Sequence, residues 1–250
     1  MKKGVYLLPN GLTLCGMFFG FYSILSSFNG NYVHASWSIY IAIVFDGLDG
    51  WAARLTHSTT RFGIELDSLS DLVAFGVAPA VMVFGWTLNS FGRLGWAASF
   101  LFVSSGALRL ARYNIQMGSA EKKAFTGMPI PGAAAVLAAM VIFYDYMWGL
   151  KVHCIIGSEK DYFILILTIV LAVLMISTLR FHGAKELDLK ERKPFWVLII
   201  IMTILVIILM NPPIAFFIFA VSYVGIGLVE NIWLFYRKHK KGNDNVKTDN

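Results

Sequence analysis

Eight mostly apolar blocks, each long enough to cross a bilayer as a helix, follow one another along this 250-residue chain. A hydrocarbon core of about 30 Å takes roughly 20 apolar residues in a helix. The blocks fall at Leu7–Phe28, Tyr32–Leu55, Asp67–Leu88, Gly95–Asn114, Pro129–Trp148, Tyr162–Phe181, Phe195–Met210 and Pro213–Tyr236. Hydrophobic residues make up 57% of the chain and charged residues 14%, a balance that no soluble domain of this length needs. The expected fold is all-α, a polytopic transmembrane bundle of about eight spans. The first block is read as a permanent helix, because it is long and lacks a small-residue cleavage pattern.

Orientation follows from the basic residues, since short cytoplasmic loops retain Lys and Arg. Arg93, Lys151 and Lys160 fall on one side, and the other 18 of the 21 fall opposite. Both termini are therefore expected in the cytoplasm, which requires an even number of spans. The net charge of +6 is then mainly a topology signal, with some attraction to anionic lipid, and gives no reason to expect nucleic acid. Cys15 and Cys154 sit on opposite sides and are not expected to pair. Residues 1–236 read as a single membrane-embedded domain, without repeat or linker. Ala184–Lys193 reads as a charged, solvated connector, and residues 237–250 as a basic tail expected to be disordered.

Four acids break the apolar pattern inside the second block and at the start of the third: Asp46, Asp49, Asp67 and Asp71. A carboxylate at that depth costs several kcal/mol unless it is paired, faces water or binds a cation. Asp46 and Asp49 are spaced i, i+3 and Asp67 and Asp71 i, i+4, so each pair occupies one helix face. The short connection between the two helices makes them antiparallel neighbours, which brings the four carboxylates together. Hard divalent cations with oxygen ligands are the usual remedy for such repulsion. Gly50, Ala53 and Gly63 leave room for a phosphate to approach the backbone, and Arg54 is placed to hold a phosphate oxygen.

The full pattern is Asp46-x2-Asp49-Gly50-x2-Ala53-Arg54-x8-Gly63-x3-Asp67-x3-Asp71. Its eight fixed residues would arise by chance on the order of 10^-10 per start position, from average residue usage. The chain resembles the CDP-alcohol phosphatidyltransferase family, whose signature it matches at every position. The resemblance implies a six-helix catalytic core, a pair of divalent ions (Mg2+ or Mn2+) held by Asp46, Asp49, Asp67 and Asp71, and Asp71 as general base. It also implies contacts to the CDP-lipid from Gly50 and Arg54, with Thr60 near the nucleotide and Asn10 and Thr13 contributing from the first helix. Paired metals suit in-line displacement at phosphorus, where attacking and leaving oxygens both gain negative charge.

The acceptor alcohol is a separate inference. Pro9-Asn10-x-Leu12-Thr13, Asp46-Gly47-Leu48-Asp49-Gly50, Arg109-Leu110-Ala111-Arg112-Tyr113-Asn114 and Phe125-x-Gly127-x-Pro129-x-Pro131-Gly132 look like the phosphatidylserine synthase branch. That implies CDP-diacylglycerol and L-serine as substrates, membrane lipids as surroundings, a homodimer, and a multi-pass protein of the cytoplasmic membrane with its site facing the cytoplasm. Arg109 or Arg112, with Asn114 nearby, would hold the serine carboxylate. The same arginines could instead be membrane anchors or bind lipid phosphate. Glycerol 3-phosphate or inositol phosphate are the alternative acceptors. An ion-coupled transporter predicts matched halves and a midplane site, and a bare scaffold leaves the acids unexplained. His57, Asp145 and Glu230 read as ordinary surface or helix-end residues.

Overall fold

A computed structural model describes residues 7–56, 60–117, 127–150, 159–177, 179, 202, 206 and 210–248. The described chain is helical: α1 (Leu7–Phe28), α2 (Tyr32–Leu55), α3 (Arg61–Trp86), α4 (Arg93–Met117), α5 (Ile130–Gly149), α6 (Glu159–Ile176) and α7 (Pro212–Thr248). Five of these are long and apolar enough to cross a membrane: α1, α3, α4, α5 and the Pro212–Asn231 part of α7. The helix α2 is long enough, but His34, Ser36 and Ser38 at one end and Asp46 and Asp49 at the other dilute its apolar residues. Apart from residues 202, 206 and 210, the expected seventh span lies outside the described residues, as do the connector before it, His57, Phe125 and Cys154.

The sixth helix is displaced, to Glu159–Ile176 from the expected Tyr162–Phe181, and the two largest differences from the sequence expectation fall at the third and last helices. The third helix begins at Arg61 rather than Asp67, because the Thr60 hydroxyl accepts the Gly63 N–H at 3.0 Å and caps the helix about two turns before Asp67. The last helix continues to Thr248 instead of ending at Tyr236, so the expected tail is helical through that point. Residues 237–241 are rich in Lys and Arg, which are good helix formers, whereas nothing in residues 242–245 explains their helical course.

The core is made of small residues. Ala35, Ile39, Ala42, Ala74, Phe75 and Ala78 are buried, as are Ala133, Ala134 and Val136–Ala139 of α5. Without a hydrophobic driving force between helices in lipid, close backbone approach supplies the packing. A Cβ on Gly20 of α1 would lie 2.5 Å from the Ala74 Cα, so α1 and α3 touch backbone to backbone there. Gly127, at φ +88, does the same before α5: a Cβ would meet the Met175 carbonyl oxygen at 2.4 Å, and its N–H donates to the Leu179 carbonyl at 2.8 Å. Tyr40 of α2 donates its hydroxyl to the Ala135 carbonyl of α5 at 2.9 Å. These contacts fix α1, α2, α3 and α5 around the acidic motif.

Candidate metal centre

The α2 turn carrying Asp46 and Asp49 and the α3 turn carrying Asp67 and Asp71 line one narrow crevice, with Thr13, Gly16 and Ser70 in its walls. Asp46, Asp49 and Asp67 each present an oxygen within 4.8 Å of the others. Asp71 lines the same crevice and lies within electrostatic range of Asp46, Asp67 and Asp49 on one side and of Arg109 on the other. All four carboxylates thus line one crevice, and three of them are close enough to share a cation.

Its assembly does not rest on α2 and α3 alone. The helix α1 packs along α2 and also against the first part of α3, and Thr13 joins all three. The Thr13 hydroxyl lies 2.6 Å from an Asp49 oxygen and 3.1 Å from the Pro9 carbonyl. Its single proton goes to the shorter, charge-assisted partner, since a hydroxyl donates once. Ser70, between the two α3 acids, donates to the Thr13 carbonyl at 3.0 Å. Thr13, expected at the CDP-lipid, therefore spends its hydroxyl on a buried carboxylate. Ser70 was not singled out from the sequence. The signal that would have found this joint is the Gly16 and Gly20 pair, one turn apart, which marks the face on which α1 is closely approached.

Immediately after Asp71 the helix widens into a π-helical stretch, Leu72–Val77, before resuming α geometry at Ala78. Such bulges recur at functional sites, where the extra residue re-aims one turn of side chains. Here the change falls directly after the proposed base and turns Ala74 and Phe75 into the crevice wall and the core.

The remaining predicted residues separate by what they touch. A Cβ on Gly63 would meet the Thr60 hydroxyl at 3.2 Å and the Asn10 carboxamide oxygen at 3.3 Å, so Asn10 and Thr60 lie together over the start of α3. Gly50 has open space where a Cβ would be, and the exposed Arg54 bonds back to the Gly50 carbonyl at 2.9 Å. Arg112 donates to the Ile176 carbonyl at 3.1 Å and so caps α6. Asn114 donates to Ser68 at 3.0 Å and reaches Glu65 at 3.5 Å. Of the three residues expected at serine, Arg109 lies within electrostatic range of Asp71, and its Nε is buried without a hydrogen-bond partner. It also lies within electrostatic range of Tyr223 on α7.

The donor set suits a hard divalent cation: carboxylate oxygens close enough to share one ion, at the end of helices otherwise built from apolar and small residues. The family model described as CDP-alcohol phosphatidyltransferase matches residues 6–158, and the chain belongs to that family. It is 38% identical over 231 residues, 92% of each chain, to a Helicobacter pylori protein named CDP-diacylglycerol–serine O-phosphatidyltransferase. It is 34% identical over 176 residues to an archaetidylserine synthase of Methanothermobacter thermautotrophicus, covering 70% of this chain and 69% of that one. A Mycobacterium leprae protein that shares the first of those names is 36% identical over 57% of this chain and 49% of its own.

Proposed function

We propose that the chain transfers the phosphatidyl group of CDP-diacylglycerol to the hydroxyl of L-serine, giving phosphatidylserine and CMP. The observation that carries this reading is the crevice where Asp46, Asp49, Asp67 and Asp71 meet, with Arg109 beside Asp71. The names of the bacterial and archaeal relatives, which share serine as the acceptor, support the choice of alcohol.

In this reading the serine oxygen attacks the phosphorus bonded to diacylglycerol, the phosphorus–oxygen bond to CMP breaks, and Asp71 takes the hydroxyl proton. Two Mg2+ or Mn2+ ions held by Asp46, Asp49, Asp67 and Asp71 would neutralise charge developing on the entering and leaving oxygens. Thr13 and Ser70 hold Asp49 and the α1 backbone so that the ligands keep their spacing. Gly50 and Arg54, at the open rim, receive the CDP moiety, with Asn10 and Thr60 beside it. Arg109 binds the serine carboxylate, while Arg112 and Asn114 position α6 and α3 around it.

The basic loops support a site that opens to the cytoplasm in the cytoplasmic membrane, with the lipid tails kept in hydrocarbon. A homodimer follows the family resemblance. The test is CMP release from CDP-diacylglycerol by the purified protein with Mn2+ or Mg2+. Serine is expected to stimulate release, and stimulation by glycerol 3-phosphate or inositol phosphate but not by serine would overturn the assignment.

A further inference from the structure

A second cavity, of about 440 Å³, opens at the opposite end of the bundle from the acids, between the α1–α2 turn, the end of α3 and the last turns of α5. That volume lies in the range of small-molecule sites. Its two walls differ in polarity. On one wall α2 begins at Tyr32, and its N-cap Asn31 provides no side-chain capping bond. The N–H end of the helix dipole, with the imidazole of His34 beside it, thus faces the cavity. On the other wall Tyr144, Asp145 and Trp148 lie on one face of α5, and Trp86 closes the box from α3. The Trp86 and Tyr144 rings pack edge to face with centroids 5.7 Å apart.

A carboxylate among aromatic rings is the recognition chemistry of an ammonium group. An uncapped helix start is that of a phosphate. A metal is the weaker fit, because the only group of three metal-ligating side chains among the described residues is the aspartate cluster at the other end. Interfacial aromatics ordinarily face lipid, yet here Trp86 and Tyr144 turn toward each other inside the end of the bundle. Trp148, which lines the cavity, is also exposed, so acyl chains can leave over it toward the hydrocarbon.

We infer that this cavity binds the headgroup of a zwitterionic aminophospholipid from the leaflet opposite the catalytic one. The phosphate rests on the start of α2 and His34. The primary ammonium rests against Asp145 between Trp86, Tyr144 and Trp148. The site is separate from the acidic crevice, so occupancy does not require turnover.

Native mass spectrometry of the detergent-purified protein tests this with dioleoyl phosphatidylethanolamine, dioleoyl phosphatidylglycerol and soluble glycerophosphoethanolamine as separate probes. Phosphatidylethanolamine is expected to be retained at one per chain, at least tenfold more tightly than the other two. Asp145→Asn is expected to remove that preference and His34→Ala to weaken both lipids, with CMP release unchanged in both variants as evidence of folding. Equal retention of the two lipids by the unaltered protein, or an unchanged preference in Asp145→Asn, would overturn the inference. Soluble glycerophosphoethanolamine binding as tightly as the lipid would overturn the assignment of a lipid.

Discussion

The Thr13 hydroxyl lies 2.6 Å from a carboxylate oxygen of Asp49, a buried bond between the first helix and the acidic motif of the second. Partners of metal-binding carboxylates typically change metal affinity by 10- to 100-fold when removed. Thr13→Val keeps the shape and removes the donor. It should raise the Mn2+ concentration needed for half-maximal CMP release by roughly that factor, with the maximal rate recovered at high metal. Thr13→Ser should restore the original metal requirement, a result that a purely steric role for Thr13 would not produce.

Asp71 is the acid outside the tightest ligand group and the one beside Arg109. Asp71→Asn keeps its size but cannot accept a proton from the alcohol. Turnover should fall by about 10²- to 10⁴-fold, the usual contribution of a positioned base, while CDP-diacylglycerol binding stays within a few-fold. Single-turnover CMP release together with equilibrium binding of the CDP-lipid separates the two effects.

Arg109 and Arg112 are one helical turn apart but serve different partners. If Arg109 binds serine as proposed, Arg109→Gln should raise the KM for serine at least tenfold and leave the KM for CDP-diacylglycerol within a few-fold, because a carboxylate is present only on the acceptor. Arg112→Gln removes the bond to the Ile176 carbonyl at the end of α6. It should lower thermal stability by about 1 kcal/mol with little change in either KM. Exchanged behaviour of the two variants would place serine at Arg112.

The helices and the acidic motif were legible in the sequence because both obey simple periods. Apolar runs of membrane length gave α1 and α2 to the residue, and i, i+3 and i, i+4 spacing gave the shared faces of the four aspartates. What joins those faces was not legible. The residues that hold the site together, Thr13, Ser70 and Asn114, act through contacts between residues 36 to 57 positions apart, which no local pattern encodes. The π-helical turn after Asp71 is equally silent, since Leu72–Val77 reads as ordinary apolar helix. Arg112 and Asn114 are expected near serine from charge and proximity in sequence, which says nothing of their other partners. Their bonds to the Ile176 carbonyl and to Ser68 come from the packing of α6 and α3 against α4.

Gly127 tests the fold independently of the chemistry. Its φ is +88, and a Cβ there would lie only 2.4 Å from the Met175 carbonyl oxygen, which leaves no room for a side chain. Gly127→Ala should destabilise the protein by about 1–3 kcal/mol, the usual cost of a strained backbone position, read as a lower melting temperature in detergent. Gly50→Ala, where the same atom meets open space inside α2, should keep or slightly raise the melting temperature and instead weaken CDP-lipid binding.

The most direct test of the central claim follows the acceptor into the product. The purified protein is incubated with CDP-diacylglycerol, isotope-labelled serine and Mn2+ or Mg2+, and lipid and nucleotide are quantified together. Labelled phosphatidylserine should appear one for one with CMP, stop on chelation and return when the metal is restored. CMP released with phosphatidic acid and no labelled lipid would contradict transfer to serine.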